Sequence, residues 1–242
     1  MARKKKNSTD KLMDLDKAAH DAAKPWRETA PIKALSWYSE LGDQPQMLTL
    51  SGGVLALGLL RGDSRMARAG TRMIAAHLLA TAAKNFIKHR VDRTRPRSAE
   101  GKDGHKPKPG RTETKEETSF PSGHSAGALA VAQAYAREYP EYRLPALGAG
   151  GLIALAQIPR CAHYPTDVGA GIAIGVASEA LIARIWPAKA SGQAAGDDLV
   201  GAQPRAMVED LRDDHELVGS GALDEILDGR PDGRAGADRG AG

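Results

Sequence analysis

Five apolar stretches alternate with polar stretches through the middle of the chain. They cover residues 47–60, 73–87, 125–136, 144–158 and 168–186, and each is rich in Ala, Gly and Leu. Apolar stretches of this length predict helices rather than strands. None is a clean run of about 20 apolar residues, the usual length for crossing a bilayer. The pattern therefore predicts an all-α bundle of about five core helices. Both a membrane bundle and a buried soluble bundle fit it.

The fifth stretch favours the membrane interpretation. Gly171 and Gly175 have the small-xxx-small spacing that lets helices approach closely. The stretch ends at Trp186 and Pro187, as an interfacial anchor would. Glu179 counts against a membrane helix, because a carboxylate there must face the bundle interior or be neutral. On balance we expect an integral membrane protein.

The two ends of the chain are polar and divide it into three parts. Residues 1–31 predict a mobile polar arm with a helical turn or two. Apolar residues recur every third position over 32–41 and predict a short amphipathic helix, which lies either at a membrane surface or on the domain. The helical bundle is expected over 32–187. Residues 188–242, rich in Gly, Ala and Asp, predict a disordered tail.

Composition adds three constraints. The net charge of +4 suits an anionic lipid, a phosphorylated substrate or a nucleic acid, but no nucleic-acid motif is present and we expect no such partner. Cys161 is the single cysteine, so no internal disulfide can form. The basic residues near the N-terminus are followed by a polar stretch, which is not the pattern of a signal peptide.

Three clusters at predicted helix ends carry chemistry. Lys88 closes the second stretch and Arg95 follows in a turn, so both cations can converge on one anion, unless they form a solvated basic loop. Ser122, Gly123 and His124 open the third stretch, where free N–H groups and a positive dipole end attract anions. The alternative there is a capped helix with an incidental histidine.

The third cluster is a histidine followed four residues later by a carboxylate. Asp167 begins the fifth stretch, and His163 precedes it in a turn. A carboxylate bonded to one ring nitrogen leaves the other nitrogen as a nucleophile. The alternative is a capped helix with a histidine in the preceding turn. If all five stretches cross, the loop 88–121 and the turn 159–167 lie on one face, together with residues 1–31.

In this order the clusters closely resemble the signature of the phosphatidic acid phosphatase type 2 superfamily. Lys-x6-Arg-Pro and Pro-Ser-Gly-His match without change, and His-x3-Asp matches the second half of the third motif. The resemblance spans about residues 47–186. It implies a helical bundle and hydrolysis of a lipid phosphate or pyrophosphate through a phosphohistidine, without metal or cofactor.

The resemblance also assigns roles to the residues that match. His163 is the nucleophile, Asp167 its orienting partner, and His124 the general acid. The phosphoryl oxygens are held by Lys88, Arg95, Ser122 and the backbone N–H of Gly123. Of the other arginines, Arg90, Arg93 and Arg97 are expected to bind headgroups or solvent.

One position departs from the family pattern. Gln157 stands where the family has an arginine, so a phosphate-binding guanidinium is missing. Arg160 lies three residues later and is expected to supply that charge. The departure keeps open a non-catalytic membrane protein that binds anionic headgroups. A vanadate-dependent haloperoxidase is a further alternative, for which the chain is short. Basic residues on both expected faces leave the orientation of the site open.

Overall fold

The computed structural model of the chain describes residues 7–99, 106–112 and 114–188. In this part of the chain, seven α-helices form the fold. They are α1 (Ser8–Ala23), α2 (Ala30–Ser39), α3 (Gln44–Arg61), α4 (Ser64–Lys88), α5 (Gly123–Glu138), α6 (Arg143–Ala156) and α7 (Pro165–Ile185). A two-stranded antiparallel sheet follows α4, with β1 (Val91–Asp92) paired to β2 (Lys108–Pro109) so that Val91 lies opposite Pro109. The five predicted core stretches correspond to α3–α7.

Helix α5 lies at the centre and packs against α4, α6 and α7. Its buried face is made mainly of alanines, which let the neighbouring backbones approach. A side chain at Gly171 or Gly175 of α7 would not fit, since an added Cβ at Gly171 would lie 2.9 Å from the Ser125 Cβ. The two glycines therefore seat α7 on α5, as their spacing predicted.

The first core connection is short. Residues 61–72 are a polar stretch from which a loop is expected, but most of them are helical, since α4 begins at Ser64 with Asp63 as its N-cap. The Asp63 carboxylate accepts from the Met66 N–H at 2.9 Å. Arg72 of this polar stretch lies within α4, where it is fully buried and its Nε donates to Glu138 at 3.1 Å.

Glu179 of α7 is buried near Arg72, and a buried carboxylate needs cationic partners. Its two oxygens accept from Arg137 of α5 at 2.6 and 2.8 Å, and Arg72 lies 3.6 Å away. The side chain therefore faces the bundle interior. Among the described residues, α7 is the one helix long and apolar enough to cross a membrane.

The N-terminal region is more ordered than its composition predicted. Within the mobile arm expected over 1–31, Ser8–Ala23 form a 16-residue helix, α1, that starts with a capping box between Asn7 and Asp10. Asp16 in α1 is fully buried, which ties the helix to the core. The predicted amphipathic helix over 32–41 is α2, and it packs on α6. The predicted tail over 188–242 lies, beyond its first residue, outside the described residues.

Candidate active site

A cavity of about 480 Å³ opens where the C-terminal end of α4 meets the N-terminal end of α5. The loop after α4, the turn between α6 and α7, and the segment before α3 complete its wall. Six of the eight predicted site residues line it: Lys88, Arg95, Gly123, His124, Arg160 and His163. Residues up to 75 positions apart in sequence, such as Lys88 and His163, thus meet in one predominantly basic space.

His163 is held in one tautomer by a backbone carbonyl. Its Nδ1 lies 2.8 Å from the Ser119 carbonyl oxygen, which can only accept, so Nδ1 carries the proton. The other ring nitrogen, Nε2, is then unprotonated. Burial lowers the pKa of His163 to about 4, and the nearby Arg95 and Lys88 cations act in the same direction. The ring is therefore a neutral base at pH 7, the form that a nucleophile needs.

Asp167 reaches His163 only indirectly. Its Oδ2 is 3.8 Å from Nδ1, beyond hydrogen-bond distance. The same oxygen accepts from the Ser119 hydroxyl at 2.5 Å and from the Tyr164 N–H at 2.9 Å. Asp167 thus fixes both the residue that holds Nδ1 and the turn that carries the ring. Its role as the orienting partner of His163 stays a prediction, with Ser119 as the intermediate.

Arg93 lies behind this network, not at a headgroup or in solvent, so that expectation was wrong. Its guanidinium is fully buried between two carboxylates, at 2.5 Å from Asp167 and 2.6 Å from Asp16. Asp16 also accepts from the N–H of Thr166 at 3.0 Å, at the start of α7. A chain of contacts therefore links α1 through Arg93 to Asp167 and on to His163.

Ser122 and Gly123, neighbours in the Pro-Ser-Gly-His motif, differ in their relation to the cavity. Gly123 lines the cavity, and Lys84 Nζ would lie 3.2 Å from a Cβ added there, so a larger residue would push this cation slightly away. Ser122 is fully buried, and the cavity wall does not include it. Its hydroxyl accepts from the Ser125 hydroxyl at 2.9 Å and caps the helix. The structure thus places Ser122 as a cap behind the predicted phosphate site.

The position of the missing family arginine is buried and polar. Gln157 lines the cavity, donates to the Ile153 carbonyl at 3.0 Å, and leaves its side-chain oxygen without a partner among the described residues. Arg160 borders the same cavity, but its guanidinium is bound to Glu40 and to the Ser39 hydroxyl. Arg160 therefore brings a cation to the cavity whose charge Glu40 partly offsets. Its proposed role as the replacement stays a prediction.

Acidic residues meet the cavity at one place. Ligand atoms of Glu40, Asp43 and His124 lie within 4.8 Å of one another, a spacing that a metal ion could bridge. The Arg160 guanidinium forms an ion pair with Glu40, and its positive charge would repel a divalent cation at this place. Asp43 Oδ1 lies 2.9 Å from Nε2 of His124.

Sequence reasoning missed Asp16, Asp43 and Ser119 and gave Arg93 a different role. Ser119 stands beside the Pro-Ser-Gly-His motif, and Arg93 stands inside Lys-x6-Arg-Pro, so their proximity to motifs was the available signal. No pattern marked Asp16 or Asp43, which come from segments that looked peripheral.

A second, apolar groove of about 640 Å³ adjoins the basic cavity. It runs between α3 and α6 over the flank of α5, and Met47, Leu50, Val131 and Ala149 are among its lining residues. Ile153 stands where the two spaces come close: it lines the groove, and its carbonyl binds Gln157 of the cavity. A polar space for an anion thus lies next to an apolar space for a chain.

Known proteins resemble this chain at the level of family and of fold. A family model described as the PAP2 superfamily matches residues 69–191. Lipid A 1-phosphatases of Rhizobium johnstonii and Rhizobium etli are 37% and 40% identical to the chain over 68 and 57 residues. Those matches span 28% and 25% of the two relatives, and 28% and 24% of this chain.

Two solved structures share the fold. A transmembrane PAP2 type phosphatidylglycerolphosphate phosphatase from Bacillus subtilis superposes with a TM-score of 0.53 at 21% identity, covering 74% of this chain and 87% of the other. Aquifex aeolicus LpxE gives a TM-score of 0.51 at 20% identity, covering 72% and 94%. These likenesses establish the helical architecture.

Proposed function

Because the chain belongs to the PAP2 superfamily, we propose that it is a metal-independent phosphatase that acts on a lipid phosphate or diphosphate ester. The observation that carries this proposal is the convergence of a neutral His163, a second histidine and two cations on one cavity. Phosphoryl transfer needs positioning and charge stabilisation above all, and these side chains supply both.

The proposed reaction has two steps. Nε2 of His163 attacks phosphorus, the bond from phosphorus to the ester oxygen breaks, and His124 gives that oxygen a proton. Lys88 and Arg95 stabilise the charge on the phosphoryl oxygens, together with the positive end of α5 at Gly123. Water then attacks the phosphohistidine, loses its proton to His124, and releases phosphate with His163 regenerated.

The apolar groove supports a lipid substrate. An amphiphile can place its phosphate in the basic cavity and a hydrocarbon chain in the neighbouring groove. The curated relatives are named lipid A 1-phosphatases, which agrees with an amphiphilic substrate of this class.

Membrane insertion of the bundle α3–α7 is part of the proposal. Large apolar side chains are exposed on the outer faces of these helices, including Leu60, Phe86, Leu144 and Ile185, which are 62–84% exposed. Water would penalise such a belt, whereas lipid would not. Of the helices that the structure describes, only α7 meets the length and apolarity of a spanning helix by itself, so the others would cross as short, tightly packed helices.

The test is phosphate release by the purified protein in detergent from a panel of lipid phosphates and diphosphates. We expect turnover that orthovanadate inhibits and EDTA does not. His163→Ala should abolish turnover, with Cys161→Ala, a neighbour outside the proposed chemistry, as the control. Retained turnover in His163→Ala would refute the phosphohistidine route, and lipid binding without turnover in the wild type would favour the non-catalytic alternative.

A further inference from the structure

One face of α4 changes from charged to apolar along its length. Four polar residues of this face line the basic cavity: Lys88, Lys84, Thr81 and His77. They are three or four positions apart, a spacing that places side chains on one side of a helix. Met73, one turn further toward the start of α4, lines the apolar groove instead. The face thus runs from two cations through a hydroxyl and an imidazole to an apolar side chain.

The imidazole of His77 is buried without a hydrogen bond. His77 is 2% exposed, and neither of its ring nitrogens has a hydrogen-bond partner among the described residues. Buried polar groups almost always have such a partner, and leaving one unpaired costs stability. Because His77 lines the cavity, a molecule bound there can supply the partner. In its neutral form the ring offers one N–H donor and one acceptor nitrogen.

Two glycines place His77 beside the junction of the cavity and the groove. A Cβ added at Gly127 would lie 2.8 Å from Cε1 of His77 and 3.9 Å from the Gly42 carbonyl oxygen. Gly42 in turn touches both spaces. A Cβ added there would lie 2.5 Å from Cγ2 of Ile153, which lines the groove, and 3.3 Å from Cδ2 of His124, which lines the cavity.

The group that fits His77 is polar and uncharged. A phosphate finds its cations further along the same face, at Lys84 and Lys88, whereas Thr81 brings no positive charge. A hydrocarbon would leave both ring nitrogens unpaired, which is costly in a buried place. An ester carbonyl can accept from the N–H of the ring, and a hydroxyl can also donate to the other nitrogen.

We infer that His77 determines substrate specificity by binding the polar linker, such as an esterified glycerol or a sugar, that joins the phosphate to its hydrocarbon. The inference rests on the proposed phosphatase function and narrows its substrate class. A lipid phosphate with such a linker matches the face of α4 group by group. An alkyl or isoprenyl phosphate, whose hydrocarbon begins at the ester oxygen, leaves His77 unpaired.

The test compares two substrates with the same chain length. Dilauroyl phosphatidic acid carries an esterified glycerol next to its phosphate, whereas dodecyl phosphate has no linker. His77→Leu keeps a similar volume and removes both ring nitrogens. We expect kcat/KM for dilauroyl phosphatidic acid to fall about 10-fold, mainly through KM, which is the scale of one hydrogen bond to a buried group. For dodecyl phosphate kcat/KM should change little.

Two further measurements distinguish substrate binding from a structural role. His77→Gln keeps a donor and an acceptor, so it should recover most of the lost kcat/KM. His77→Leu should unfold in the same detergent at the wild-type temperature or above, because it removes no hydrogen bond within the described residues. His89→Leu, at the exposed C-cap of α4 and outside the cavity wall, is the matched control and should leave both substrates unaffected.

Equal losses on both substrates, or a lower unfolding temperature of His77→Leu, would overturn the assignment of His77. A loss confined to dodecyl diphosphate would also overturn it, since the position would then serve a second phosphate. Such results presuppose an active wild type, so they leave the proposed function standing. A wild type that releases no phosphate from any of the three substrates would instead overturn the proposed function, and the inference with it.

Discussion

Replacing Arg93 is expected to be among the most damaging single changes in the protein. Arg93→Met leaves the carboxylates of Asp16 and Asp167 buried without the cation that lies 2.6 and 2.5 Å from them. Removing one partner of a buried ion pair costs about 3–5 kcal/mol, because a charge is left uncompensated. Here two charges are left, and they repel each other.

Asp16→Asn should be milder, although it removes a charge from the same cluster. Arg93 and Asp167 then remain as a neutral pair, so the loss is that of one charge-assisted hydrogen bond, about 1.5–3 kcal/mol. Combining the two changes leaves Asp167 as the single carboxylate. The double variant should therefore be more stable than the sum of the single losses predicts, by about 0.5–3 kcal/mol of coupling.

Thermal unfolding of the wild type, Arg93→Met, Asp16→Asn and the double variant in one detergent measures this double-mutant cycle. Arg90→Met is the matched control, since Arg90 is exposed and stacks on Phe86 with its guanidinium 3.6 Å from the ring centre. Its effect should stay within about 0.5 kcal/mol, as for most surface substitutions. If Arg93→Met unfolds no earlier than this control, or if the single losses simply add, the account of the buried triad is wrong.

Three other expectations concern activity. Because burial holds the pKa of His163 at about 4, below its ordinary 6.5, the acid limb of kcat/KM should fall near pH 4; a limb near 6.5 would contradict this. The unfolded chain binds that proton first, so His163 should also cost stability as pH falls from 6.5 toward 4. Arg160→Ala should weaken vanadate binding several-fold without abolishing turnover, because Glu40 already offsets its charge; unchanged binding would exclude it as the replacement cation. Ala149→Phe should fill the apolar groove and raise KM for a long-chain lipid phosphate but not for 4-nitrophenyl phosphate. Gly148→Phe is its control, since a Cβ added there meets nothing within 4 Å and Gly148 does not line the groove; equal effects on both substrates would argue against the groove.

The apolar pattern predicted the helices well where burial of small residues decides the structure. All five core stretches are helices in the fold, with ends within three residues of the prediction, apart from the start of α4. The exception has a physical reason. Arg65 and Arg72 read as loop residues, but they bind Glu138, which lies 66 or more positions away. Pairing across such distances leaves no trace in local polarity.

The site was predictable only as far as its motifs reach. Lys88, Arg95 and His163 line one cavity because their helix ends meet on the same face, which the count of crossings had indicated. Ser122 belongs to a motif but serves as a helix cap, since a hydroxyl at that position satisfies the free N–H groups of its own helix. A motif fixes the order of residues along the chain, whereas the direction of each side chain depends on its local hydrogen bonds.

Both histidines are supported from elements that precede the matched family range. On one side Asp16 of α1 holds Arg93, which binds Asp167 and through it the Ser119 that fixes Nδ1 of His163. On the other side Asp43 faces His124. Burial keeps the His163 ring neutral, and the contacts that start at Asp16 hold the Ser119 carbonyl and the ring in place. Residues that precede the matched range thus complete the surroundings of both histidines, which the motifs alone do not specify.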